Sequence, residues 1–314
     1  AVPCTTVNKV CGSGMKTTML GHDLLLAGSA SVVLTGGMES MSGAPYLMPK
    51  ARSGYRMGHQ EVLDHMFWDG LQNPYDGNMM GHFAEQTARQ YGFSREDQDA
   101  FAIASVNRAK DAAADGRFDA EITPVTVRSR RGETVVSADE GPNVADVDKI
   151  PTLRPAFAKD GTVTAASSSS ISDGAASLVL MRASDAKTRG IEPLATIAGH
   201  AGFAHEPEWF TTAPVSAINA LHSRLGWDAG NVDLYEINEA FACVTMAAIH
   251  DVGIDHAKVN VNGGACALGH PIGASGARII VTLLHALRNR GGGRGIASLC
   301  IGGGEAIAIG IEAT

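Results

Sequence analysis

The chain has 314 residues, 45% of them hydrophobic and 18% charged, with Lys+Arg 25 against Asp+Glu 33 for a formal net charge of −8. This composition supports a sizeable folded core and excludes a disordered chain or a coiled coil. The acidic balance argues against a protein that reads nucleic acid through phosphate contacts. The 37 glycines, about 12% of the chain against a usual ~7%, follow no collagen-like period and point to tight turns and close backbone approach. Cys4, Cys11, Cys243, Cys266 and Cys300 are odd in number and contain no C-x-x-C pair. Neither a disulfide framework nor a metal site is expected, and a reducing, cytoplasmic location is. No apolar run reaches the ~20 residues of a membrane span.

In chain order, 5–10 is a short β-prone run, and 12–27 has helical spacing with Met15, Met19 and Leu24 to Leu26 on one side. Residues 31–35 read as a buried strand closed by Gly36-Gly37. From 43 to 163 the chain is richer in charge, aromatics and proline and reads as an insertion over a core. It holds helices at 80–91 and 95–115 and a hairpin, 122–127 with 133–137, turning at Arg130-Arg131-Gly132. A Ser-rich turn and a strand at 176–181 return to the core. A second α/β block follows, with strands at 194–204, 232–236 and 259–262 and helices at 214–225, 238–251 and 275–290. Strands at 295–300 and 306–312 close it. Strand, glycine-rich turn, helix, strand occurs at 5–37 and again at 259–301, a weak internal echo that two similar halves would explain.

Four segments carry chemistry. Cys11 precedes Gly12-Ser13-Gly14 at a helix start, where free N–H groups and the helix dipole favour thiolate; a small buried Cys is the other reading. His270 lies in the glycine-rich run from Gly263 to Gly273, suited to a general base. Cys300 precedes Gly302-Gly303-Gly304, with no following Lys-Ser/Thr to make a Walker loop. Asn238 opens Asn238-Glu239-Ala240-Phe241, and in isolation reads as a helix N-cap. Cys4, Cys243 and Cys266 read as core. His59, His65, His82, His200 and His205 lack metal-ligand spacing and read as surface or loop residues. Arg128, Arg130 and Arg131 read as a solvated hairpin, with an anion patch as the alternative.

Together these four motifs, in this order and at these spacings, resemble the thiolase family, and the wording of Gly37-Met38-Glu39-Ser40-Met41-Ser42 is most similar to its acetyl-CoA C-acetyltransferases. The resemblance implies an α/β fold of five layers, α-β-α-β-α, with two similar halves and an inserted loop domain. The boundaries expected are 1–42 with 164–192 for the N-terminal half, 43–163 for the loop domain over the coenzyme A site, and 193–314 for the C-terminal half. It implies acyl transfer to Cys11, proton acceptance by His270, and α-carbon proton transfer by Cys300. The enolate oxygen would be held by His270 and an Asn238-bound water, and the thioester oxygen by the backbone N–H groups of Cys11 and Gly302. Leu71, Met80, Phe157, Ala165, Ser169 and Phe241 would line the pantetheine route.

The resemblance implies no bound cofactor. Acetyl-CoA, acetoacetyl-CoA and CoA would be the partners of a homodimer or homotetramer. The alternatives are a broader-chain 3-ketoacyl-CoA thiolase and a truncated acyl-CoA-binding relative. The family carries roughly 80 residues before its nucleophile where this chain has ten, so the opening strands and helices of the first half are expected to be missing. The family's Asn-Ala-Ser-Gly-x-Asn-Asp-Gly is here Ser167-Ser168-Ser169-Ser170-Ile171-Ser172-Asp173-Gly174, and Met79 stands where short-chain members carry His.

Overall fold

The computed structural model describes residues 2–130 and 132–314. A 3-10 turn, Val10–Gly12, leads into α1 (Ser13–Leu26) and then β1 (Val32–Ser40). Next come β2 (Tyr46–Leu47), β3 (Leu63–Asp64), a π-helical turn at Phe67–Leu71, α2 (Met80–Tyr91) and α3 (Arg95–Ala114). The hairpin β4 (Val125–Ser129) and β5 (Gly132–Val136), then α4 (Glu140–Val144), precede β6 (Asp173–Met181), α5 (Ala183–Thr188) and β7 (Ala195–Ala204). The chain finishes with α6 (Ala213–Leu225), β8 (Leu234–Ile237), α7 (Ala242–Val252), α8 (Ala265–Leu268), α9 (Ile272–Arg288), β9 (Gly293–Ile301) and β10 (Glu305–Ala313).

Side chains alternate across a strand, and this alternation builds the layers. On β9 and β10, Ala297, Leu299, Ile301, Ile307, Ile309 and Ile311 face one core with α9. Ile296, Ala306 and Ala308 face the other, against Ile218 and Leu221 of α6 and Ala248 of α7. Fully burying one such aliphatic side chain stabilises by ~1.5–3 kcal/mol. The sheet order is β7-β10-β9-β8, antiparallel except where β8 meets β9. A second sheet pairs β1 with β6 antiparallel. Helices α1 and α9 pack on each other between the two sheets. Four of the five expected layers are thus assembled. On the far side of β1 and β6, Leu34 (71% exposed) and Val179 (64%) carry no covering helix among the described residues.

Glycine makes the central layer possible. A Cβ at Gly14 would lie 2.7 Å from the Ala277 nitrogen, and one at Gly276 would lie 2.4 Å from that of Met15. A Cβ at Gly37 would lie 1.9 Å from the Gly273 carbonyl oxygen. This is why β1 runs on through Gly36-Gly37, where the sequence suggests a strand end: glycine inside a strand marks a close backbone approach.

Within 43–163, α3 opens with a reciprocal capping box between Ser94 and Asp97. Buried Glu85 of α2 accepts the backbone N–H groups of Thr162 and Val163, which fixes the segment returning to the core. Arg128 of the exposed hairpin pairs with Glu133 at 2.8 Å; Arg131 lies outside the described residues.

Three expected elements differ. Residues 5–9 form no strand, having no neighbouring strand to pair with among the described residues. Residues 259–262 contribute only a single bridge, Val259 to Tyr235. There Asn260 takes φ +47°, and its side-chain amide bonds both backbone groups of Ile237 in place of a ladder. The helix expected from 238 begins at Ala242.

Candidate active site

Cys11 is half-buried in the 3-10 turn just ahead of α1, rather than on a strand end. Val10 before it takes φ +48°, a left-handed conformation that costs a β-branched residue roughly 1–3 kcal/mol. Ser13 holds the turn: its hydroxyl donates to the Val10 carbonyl and accepts the Lys9 N–H. Burial pushes the Cys11 thiol up to about 11. The backbone N–H groups of Gly302 and of Cys11 itself pull the other way without matching it, and the Glu39 carboxylate pushes further up. The expected resting thiolate is therefore corrected: desolvation outweighs the helix terminus, and Cys11 rests as a thiol.

Cys300 is 1% exposed near the end of β9. Burial, together with negative charge that would form on Cys11 or Cys243, holds its thiol well above the usual range. His270 lies between α8 and α9 and is also buried. Burial first, and the Arg278 guanidinium second, lower its pKa to about 4, so the ring is neutral near pH 7. Its Nδ1 meets the Ser275 hydroxyl, which itself donates to the Pro271 carbonyl. That pairing assigns the ring proton to Nδ1 and leaves Nε2 with a free lone pair.

Asn238 lies 1% exposed just after β8, outside any helix. It is not an N-cap, because α7 starts four residues later with Phe241 at its cap position. Its Nδ2 stands 3.5 Å from both ring nitrogens of His270, and its Oδ1 has no protein partner. Straps from the Ser-rich turn keep the segment out of the helix. Ser169 donates through both its N–H and its hydroxyl to the Ala240 carbonyl, and Ala242 N–H donates to Ser167.

Of the residues expected along the pantetheine route, Met80 and Phe241 join Cys300 in one apolar cluster. Phe157 stacks edge-on against Phe241 with centroids 5.9 Å apart. A Cβ on Gly302 would sit 3.6 Å from the Met80 sulfur. Ser169 is strapped beside Phe241, and Ala165 is exposed at the head of the same turn. Leu71 ends the π-helical turn, next to the bridge between Gln72 and Met79.

Several residues here escaped the motif reading. Ser275 orients His270, and Glu39 accepts the Gly273 N–H at 3.0 Å. Glu239 accepts from Ser105, Asn260 and the Cys266 N–H, tying the 264–266 loop in place. Glu39 and Glu239 stand inside quoted motifs, but a hydrogen bond to a distant backbone N–H leaves no local signal.

The thiolase N-terminal domain model matches residues 1–184 and the thiolase C-terminal domain model residues 191–313. The chain belongs to the thiolase family. It is 48% identical to the acetyl-CoA acetyltransferase of Cupriavidus necator over 99% of this chain and 80% of that protein. It is 47% identical to that of Schizosaccharomyces pombe over the same shares. The crystal structure of the Bacillus anthracis acetyl-CoA acetyltransferase superposes with a TM-score of 0.95 at 41% identity, covering 98% of this chain and 78% of that one. The Acat5 thiolase from Ascaris suum in complex with coenzyme A gives 0.93 at 42%, covering 99% and 79%. This thiolase has no helix among its described residues long and apolar enough to cross a membrane.

Proposed function

We propose that this thiolase is an acetyl-CoA C-acetyltransferase, joining two acetyl-CoA into acetoacetyl-CoA and CoA and running the reverse thiolysis. The reading rests above all on the packing of Cys300 with Met80 and Phe241 beside Gly302, whose backbone N–H also lowers the Cys11 pKa. It draws further support from relatives that bear this name and from the similar thiolase solved with coenzyme A. It includes a cytoplasmic homodimer or homotetramer with no bound cofactor.

Cys11 is a thiol at rest and His270 a neutral base, so a standing thiolate–imidazolium pair is unfavourable. The proton leaves the sulfur for His270 Nε2 as the sulfur attacks the thioester carbon. The carbonyl oxygen, turning negative, takes the N–H groups of Cys11 and Gly302. CoA departs as a thiol with the proton of Cys300, leaving acetyl-Cys11, a Cys300 thiolate and a protonated His270. A second acetyl-CoA then loses an α-proton to Cys300. Its enolate oxygen is held by the Nε2–H of protonated His270 and by a water on Asn238, and its carbon attacks acetyl-Cys11 and expels the sulfur, which takes its proton back from His270. The apolar lining of Met80, Phe157 and Phe241 suits a pantetheine arm and keeps bulk water from the acyl-enzyme.

The test is loss of acetoacetyl-CoA on adding free CoA, together with the mass of the Cys11 peptide after incubation with acetyl-CoA. We expect turnover and one acetyl group on Cys11, and both should vanish in Cys11→Ser, whose alcohol is far less ionised. Acetyl found on Cys300 and never on Cys11 overturns the assignment.

A further inference from the structure

Away from this site, α1 and the edge strand β7 bring His22, Asp23 and His200 together. His200 Nε2 lies 3.0 Å from Asp23 Oδ1, and His22 Nδ1 lies 3.9 Å from the same oxygen. All three ligand atoms fall within 4.8 Å of one another, and the two imidazoles meet edge-on with centroids 5.4 Å apart. Two histidines and one carboxylate are the donor set that borderline divalent cations take. Ligand atoms on a tetrahedral zinc with bonds of about 2.0 Å stand roughly 3.3 Å apart, a spacing the observed distances bracket.

A separate observation points the same way. His22 Nδ1 is sealed from solvent and has no hydrogen-bond partner, so a ring nitrogen inside the cluster is unsatisfied. Buried polar atoms normally have a partner. The Arg224 guanidinium donates to the His200 backbone carbonyl, and Asp23 meets His200 Nε2 through Oδ1, a contact that a cation would replace on binding. Asp23 is about half exposed, which leaves a water-accessible side for a fourth ligand. We propose that His22, Asp23 and His200 form a binding site for one borderline divalent cation, with zinc as its probe, that staples α1 to the edge of the C-terminal sheet. The staple would sit about 14 Å along α1 from the helix's first residue, just beyond Cys11.

The site is tested on the chelator-stripped full chain in a Cys11→Ala/Cys300→Ala background, which keeps the active-site thiols from competing for metal. Zinc titration by calorimetry should give one equivalent, and Tm should climb with zinc concentration. His22→Gln/His200→Gln should weaken binding at least about tenfold, the least that even outer partners of a metal site cost when removed, and should abolish the rise in Tm. Cobalt in place of zinc should give a spectrum without thiolate-to-metal bands. Equal zinc affinity in parent and double variant overturns the site, as does a Tm indifferent to zinc in the parent. Should the double variant not fold, Asp23→Asn, at a half-exposed position, decides: affinity weakened about tenfold supports the site and unchanged affinity overturns it.

Discussion

Glu39 and Gly273 are joined across the two halves of the molecule: a carboxylate oxygen from β1 accepts the N–H of the second residue of α9 at 3.0 Å. The same carboxylate raises the Cys11 pKa. Glu39→Gln keeps an oxygen acceptor and removes the charge. The Cys11 pKa should fall, and alkylation by iodoacetamide at fixed pH near 8 should quicken by up to about tenfold, one pKa unit being a factor of ten. The rate is read from the mass of the Cys11 peptide over time. A slower or unchanged rate would mean that Glu39 acts on the loop and not on the thiol.

Cys300→Ala should separate the two half-reactions. Acetyl transfer to Cys11 needs no carbon deprotonation and should survive in part, whereas condensation should fall much further. Single-turnover acetylation followed by mass, set beside steady-state condensation, gives the comparison. An equal loss in both would remove Cys300 from the α-carbon step.

Asn238→Ala now carries a sharper expectation than its motif allows. No helix starts there, and its Oδ1 already lacks a protein partner, so truncation removes no capping bond. Turnover should drop by ~10²–10³-fold in kcat, the usual cost of one lost oxyanion donor. Tm should change little. A variant that melts early yet turns over normally would make the residue a structural one.

Glu236 gives a pH dependence of stability. It is buried 3.6 Å from Arg278, and burial raises its pKa to about 8. An unfolded Glu ionises near ~4.3, so between that value and about 8 the folded state holds a proton that the unfolded state has released. Glu236 therefore favours the folded chain at the acid end of this window and loses that contribution as pH rises through 8. Relative to Glu236→Gln, which cannot titrate, the wild-type Tm should decline from pH 5 to 9. A difference in Tm that is flat with pH would count against the buried, protonated carboxyl.

Periodic elements were legible in the sequence because their signals are local. The helix at 80–91 ends where Gly92 takes the left-handed cap, and α3 announces itself with Ser94 and Asp97. What failed was set by contacts from elsewhere. The 238–241 segment has a helix-start composition, but its bonds with Ser167 and Ser169 keep it out of the helix. Residues 259–262 have strand composition, but the Asn260 side chain takes the bonds a ladder would have made. The motifs set Cys11 at a helix start, His270 in a glycine-rich loop and Cys300 near a strand end, where the structure has them, yet misjudged the Cys11 ionisation, because local sequence carries the helix terminus and not the desolvation. His200, dismissed on spacing, meets His22 and Asp23 only through the packing of β7 against α1.

The close approach of Gly14 to Ala277, and of Gly37 to Gly273, divides this protein into a part that can be redesigned and a part that cannot. The proposed nucleophile and base stand just ahead of α1 and α9, helices whose main chains touch, so their mutual placement is written in backbone and not in side chains. Under the proposed function, a change of acyl preference is to be sought among Met80, Phe157 and Phe241, none of which lies on α1 or α9. One methyl group added at Gly14, Gly37 or Gly276 would displace the reacting pair itself, however conservative the exchange looks on paper.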